Sequence, residues 1–161
     1  MNAYVRIVSA ASRVGGFVAI MLIAVAALIV SQMVFLRYVL NASTIWQTEF
    51  VIYALVAATF LGSPYVLLEK GHVNIDILQK VSGPRVRLAL EIASSVVGLT
   101  FCMLFAWSGW HHFYEAWANN WTTDTVWAPP LWILLLPIPA GVGLLCLQYV
   151  AEIFKLGGDR S

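Results

Sequence analysis

At 161 residues the chain has room for one compact unit, and a formal net charge of +1 removes the strongly basic class of nucleic-acid binders. Its residues are 61% hydrophobic and 11% charged, where soluble domains carry about 25% charged residues, so water is excluded as the main solvent. What remains is an all-α integral membrane protein, a single four-helix domain over residues 1–161.

A hydrocarbon core about 30 Å thick is crossed by roughly 20 apolar residues in a helix. The first such stretch follows Arg6 and Arg13 and carries no charge until Arg37, so a span is expected over 14–38. Its apolar part is longer than a signal peptide's, and its end at "FLRYVLN" lacks a small-residue cleavage pattern. It reads as a retained anchor. The second span is expected over 45–68. It opens with "STIWQ", in which Thr44 and Gln47 form a candidate capping box. Pro64 should bend its last turns, and Gly71 is placed to close it in a left-handed conformation.

Between the second and third spans lies "LLEKGHVNIDILQK", a polar knot in a chain short of charge. On a helix over 73–82, Asp76, Gln79 and Lys80 share one face with His72 just before it. Val73, Ile75, Ile77, Leu78 and Val81 spread over the wider one. That is the pattern of a short amphipathic helix lying at the membrane interface. The alternative makes His72 and Asp76 a metal or acid–base pair, but a zinc site needs three or four ligands and no further His or Cys falls on that side. No catalytic residue, metal or cofactor is expected.

The third span is expected over 87–117 and is long enough to tilt or protrude; near its start Glu91 can pair with Arg87, four residues earlier. Pro129 and Pro130 break the chain before the fourth, over 130–154, which contains Pro137 and Pro139. Cys102 and Cys146 each sit in an apolar run, as packing residues rather than a disulfide framework. Eight of the nine Lys and Arg residues fall at the termini or in the loop between spans two and three; Arg37 falls opposite. Both termini are therefore expected to face the cytoplasm. Trp46, Trp107, Trp110, Trp117, Trp121, Trp127 and Trp132 all map to the other side, a one-sided indole belt at the headgroup boundary.

Individual residues follow from this frame. Glu49, about a turn inside the outer end of span two, is a candidate partner contact. Ala54, Ala58 and Gly62, with Ser94, Gly98 and Cys102, recur every four residues as small-residue stripes that let helices approach closely. These stripes are contact candidates, within the chain or with a partner. His111, His112 and Glu115 cluster at the outer end of span three, where His111, His112, Trp117 and Trp121 are possible outer-surface contacts.

The segment "IWQTEFVIYALVAATFLGSPYVLLEKGHVNIDIL" resembles the signature of the small membrane subunit of TRAP (tripartite ATP-independent periplasmic) transporters, the DctQ-type family. Trp46 and Glu49 open span two, Leu61 and Gly62 sit near its end, and Gly71, His72, Val73, Ile75 and Asp76 follow, with Arg85 where a basic residue is expected. "APPLWILLLPIPAG" resembles the family's start of helix four. Many members carry an acidic pair after the Trp; here Gln47 and Thr48 precede a single acid, Glu49. The resemblance implies a non-enzymatic subunit of the bacterial inner membrane. Its partners would be a large multi-helix transport subunit, in a one-to-one heterodimer, and a periplasmic substrate-binding protein docking from outside. Sodium would drive uptake of an organic acid or related solute, with the small subunit as a fixed brace. A competing class, a haem-binding anchor of a respiratory complex, needs His residues on facing helices at matching depth. A lipid-modifying enzyme needs a polar cluster inside the bilayer.

Overall fold

Helix is the answer throughout, because apolar runs of this length can satisfy their backbone in lipid only within themselves. The computed structural model describes residues 2–69, 84–125 and 127–158. In chain order the elements are α1 (Asn2–Val39), α2 (Ile45–Leu68), α3 (Pro84–Ala118), the short α4 (Leu131–Leu135) and α5 (Pro137–Gly158). Among the described residues, four stretches are long and apolar enough to cross a bilayer: Tyr4–Val39, Ile45–Leu68, Ile92–Ala118 and Leu131–Ile153. The segment expected to lie flat at the interface, 73–82, and the expected closing residue Gly71 lie outside the described residues.

α1 starts at Asn2, so the helix is longer than the apolar span expected over 14–38. Arg6 and Arg13 mark the edge of the apolar run and not of the helix, since straight-chain Arg and the Ala residues around it favour helix. At 1.5 Å per residue its 38 residues reach about 57 Å, so its first turns stand outside the hydrocarbon. Asn41, at φ 47°, then reverses the chain, and the Ala42 amide donates back to the Leu36 carbonyl at 3.2 Å.

The expected capping box of α2 does not form. Thr44 occupies the cap position without a side-chain capping bond. Gln47 shares a helix face with Ala54 and Ala58, seven and eleven residues on, and turns inward with them; it is 4% exposed. Its Oε1 has no partner among the described residues. Burial beside the neighbouring helices outcompeted the local cap.

α2 is the spine of the bundle. It packs along α1 on one side and α5 on the other, while α1 also touches α5. Two glycines bring backbone against backbone. A Cβ at Gly15 would lie 2.6 Å from the Leu61 carbonyl oxygen, and one at Gly141 would overlap the Phe60 carbonyl. The second contact has a cause in the sequence. Pro64, buried in α2, has no amide to donate to the carbonyl four residues back, which is that of Phe60. Gly141 fills the gap with a Cα hydrogen, a weak donor that suits a freed carbonyl. Ala19 and Gly62 meet in the same interface.

α3 sits to one side, against α5 and α4. The ring of Tyr149 lies over Gly98, Ile138 over Gly109, and Phe105 stacks on Phe60 of α2 with centroids 5.8 Å apart. The fourth span was expected as one helix with Pro137 and Pro139 inside. Instead α4 ends at Leu135 and Pro137 takes the first position of α5, where a missing amide costs nothing. Bonds from the Leu136 amide to Trp132 (3.0 Å) and from Ala140 to Leu136 (3.3 Å) carry the ladder across the break.

Candidate functional site at the tryptophan-rich end

The loop 119–130 folds back on itself. The Trp121 amide donates to the Ala116 carbonyl (3.1 Å), Leu131 donates to Trp121 (2.8 Å), and Thr123 donates to Pro129 (3.2 Å), around an antiparallel bridge between Thr122 and Pro130. Asn120 and Ala128 supply left-handed turns at φ 49° and 42°. Asn tolerates that region, whereas Ala pays about 1–2 kcal/mol for it. Trp117 and Trp132 meet edge to face at 4.7 Å, pinning α3 to α4 beneath the loop.

Glu49 anchors this loop to the rest of the bundle. The Thr125 hydroxyl donates to Glu49 Oε2 at 2.8 Å and lies 2.9 Å from the Thr123 hydroxyl. Beside it an open cleft of about 380 Å³ is lined by Arg37, Ala42, Ser43, Thr44, Ile45, Thr48 and Glu49. Trp46, at the start of α2, is exposed, and so are Trp107, Trp110, Trp117, Trp121 and Trp127, while Trp132 is half-buried.

The other candidate residues divide. Ala54 and Ala58 are buried, Gly62 meets Ala19, and Gly98 meets Tyr149. Each stripe thus meets another helix of this chain at its glycine. Ser94 is exposed on α3 and Cys102, in its stripe, is buried. His111 and His112 are exposed, each with Nδ1 near a Glu115 carboxylate oxygen, at 3.7 and 3.8 Å. Exposed pairs of this kind contribute little to stability. Neighbours on one helix, these histidines cannot ligate haem from facing helices, and the haem reading finds no support. No group of His, Cys, Asp and Glu that could hold a metal occurs among the described residues. His72 and Asp76 lie outside them. Arg85 falls in the first turn of α3, and its side chain, like those of Arg87 and Glu91, is not described.

At the opposite end, a buried polar chain escaped the sequence reading. The Ser12 hydroxyl donates to Gln148 Oε1 at 3.0 Å, and Gln148 Nε2 donates to Glu152 Oε1 at 3.2 Å. Ser12 and Gln148 are both fully buried. A carboxamide satisfied at both ends fixes the register of α1 on α5, because a slide by one residue strands its polar atoms in an apolar interface. A single Ser and a single Gln, 136 positions apart, form no local pattern that could have shown this.

Residues 26–157 match the family model for the tripartite ATP-independent periplasmic transporters, DctQ component. No curated protein matches the chain in sequence. That family is a transporter component and not an enzyme family, and the apolar spans among the described residues fit a membrane protein. The chain belongs to the DctQ family and is the small membrane component of a TRAP transporter.

Proposed function

We propose that this subunit is a passive brace, bound one-to-one to the large transport subunit of a sodium-driven TRAP transporter for an organic acid or related solute. The observation that carries the proposal is the family match over residues 26–157, on a chain whose described polar groups mostly hold its own elements together. Secondary transporters move one bundle around a midplane site against another, and a fixed flank gives the moving part something to work against. Transport path, sodium sites and substrate site belong to the larger subunit, and a periplasmic binding protein delivers the solute to the tryptophan-rich side.

The distribution of Lys and Arg supports cytoplasmic termini in the bacterial inner membrane. The same rule puts the segment 73–82 at the inner leaflet as an amphipathic helix. Replacing Ile77 and Val81 by Lys should then impair assembly with the large subunit, whereas Gln79→Lys should be silent; equal effects would contradict the placement. Function is tested by deleting the gene and measuring uptake of the cognate solute. Loss of uptake, restored by the native chain and equally by Glu49→Gln, is the expected result, since a brace needs no proton-carrying acid. Uptake that survives deletion would refute the assignment.

A further inference from the structure

The cleft at the tryptophan-rich end contains one cation and one anion that do not pair with each other. Arg37, at the last turn of α1, and Glu49, in the first turns of α2, both line it. No salt bridge joins them, and Arg37 has no ionic partner among the described residues. Glu49 gives Oε2 to the Thr125 hydroxyl at 2.8 Å, which leaves Oε1 open. Thr44 lines the same cleft at 5% exposure, and its hydroxyl makes no bond to a described residue. The Thr48 hydroxyl is already turned to the Thr44 carbonyl at 3.0 Å. The walls therefore offer a guanidinium and the hydroxyls of Ser43 and Thr44 on one hand, and a carboxylate oxygen on the other. At about 380 Å³ the space falls within the range of small-ligand clefts. Exposed Tyr38 and Trp46, next in sequence to Arg37 and Ile45, set its depth at the headgroup level.

We propose that this cleft binds the phosphoethanolamine headgroup of a membrane aminophospholipid, its phosphate on Arg37 with the Ser43 and Thr44 hydroxyls and its ammonium on Glu49. A guanidinium is suited to phosphate oxygens by its fork of N–H donors. A primary ammonium donates hydrogen bonds to a carboxylate, which the trimethylated ammonium of a choline headgroup cannot do. The site is thus selective for ethanolamine over choline lipids, and over anionic lipids that offer Glu49 no cation. The lipid would sit where α1 meets α2 and lie beside the tether from Glu49 to the loop 119–130.

The test is native mass spectrometry of the delipidated full chain, together with whatever subunit copurifies, titrated separately with phosphatidylethanolamine, phosphatidylcholine and phosphatidylglycerol of matched acyl chains. Ethanolamine lipid should bind about fivefold more tightly than either, the scale of one exposed ion pair. Glu49→Gln, which keeps an acceptor for Thr125, should bring ethanolamine and choline lipid to equal affinity. Arg37→Gln should weaken both about fivefold, with Arg37→Lys recovering part of the loss. Thr125→Val breaks the tether but keeps the carboxylate, and should retain the preference. Equal binding of ethanolamine and choline lipids by the native chain would overturn the proposal, as would a preference that survives Glu49→Gln or is lost in Thr125→Val. Soluble glycerophosphoethanolamine should not displace the lipid; displacement would show a site for a soluble zwitterion and overturn the lipid assignment.

Discussion

α2 and α3 are both long and apolar enough to cross a membrane, yet 22% of the most apolar stretch of α2 is buried within the chain against 6% of that of α3. The difference lies in what their backbones are asked to do. α2 presents two carbonyls, Phe60 and Leu61, to glycines on two different helices. α3 presents no carbonyl in this way: its glycines Gly98 and Gly109 meet the side chains of Tyr149 and Ile138 on α5, and Val97 and Leu104 are each 69% exposed. In lipid, apolar surface gains nothing by leaving its solvent, so close backbone approach and polar contacts hold the bundle together. A span of ordinary hydropathy is therefore spine or flank according to whether its carbonyls meet the glycines of its neighbours.

The largest expected effect breaks the spine. Gly141→Ala drives a methyl group into the Phe60 carbonyl, where backbone cannot yield; a loss of about 3 kcal/mol or failure to accumulate is expected. Thermal melting in detergent measures it, and native-like melting would show that the helices are looser than described. Next comes the register lock. Ser12→Ala leaves Gln148 Oε1 buried without a donor and should cost about 1 kcal/mol, the scale of polar contacts between membrane helices. Cys substitutions along α1 and α5 would then report slippage by altered crosslinking, and an unchanged crosslinking ladder would count against the lock.

Smaller effects sharpen the contrast. Ala128→Gly relieves a left-handed alanine and should stabilise the loop by about 0.5–1 kcal/mol, seen as slower hydrogen exchange over 119–130; faster exchange would contradict the strain. The smallest effect falls on the flank. Val97→Ala with Leu104→Ala trims side chains that face outward, so the melting temperature of the isolated chain should move by less than about 0.5 kcal/mol in equivalent stability. A loss approaching that of Gly141→Ala would erase the distinction between spine and flank.

These elements also show what the sequence could convey. Spans two and three were legible because charges bracket apolar runs of bilayer length, and the one-sided tryptophans were legible because indole has a preferred depth. α1 extends beyond the apolar run because a charge ends hydrophobicity without ending a helix. The capping box at Thr44 failed because Gln47 had a competing buried face, which local spacing does not reveal. Pro64 lies inside α2, where the sequence put it. What it disturbs, the Phe60 carbonyl now covered by Gly141, depends on a helix some eighty residues away. The small-residue stripes announced close contacts without naming their neighbours, which are Ala19 at Gly62 and Tyr149 at Gly98. Ser12 and Gln148 had no pattern at all: one polar residue in an apolar run becomes meaningful when its partner is found.

The brace role rests finally on company. A tagged copy of the chain, extracted gently from membranes and weighed intact by native mass spectrometry, should appear as one copy bound to one much larger multi-helix membrane protein. The same chain found alone, or only as copies of itself, would contradict the account.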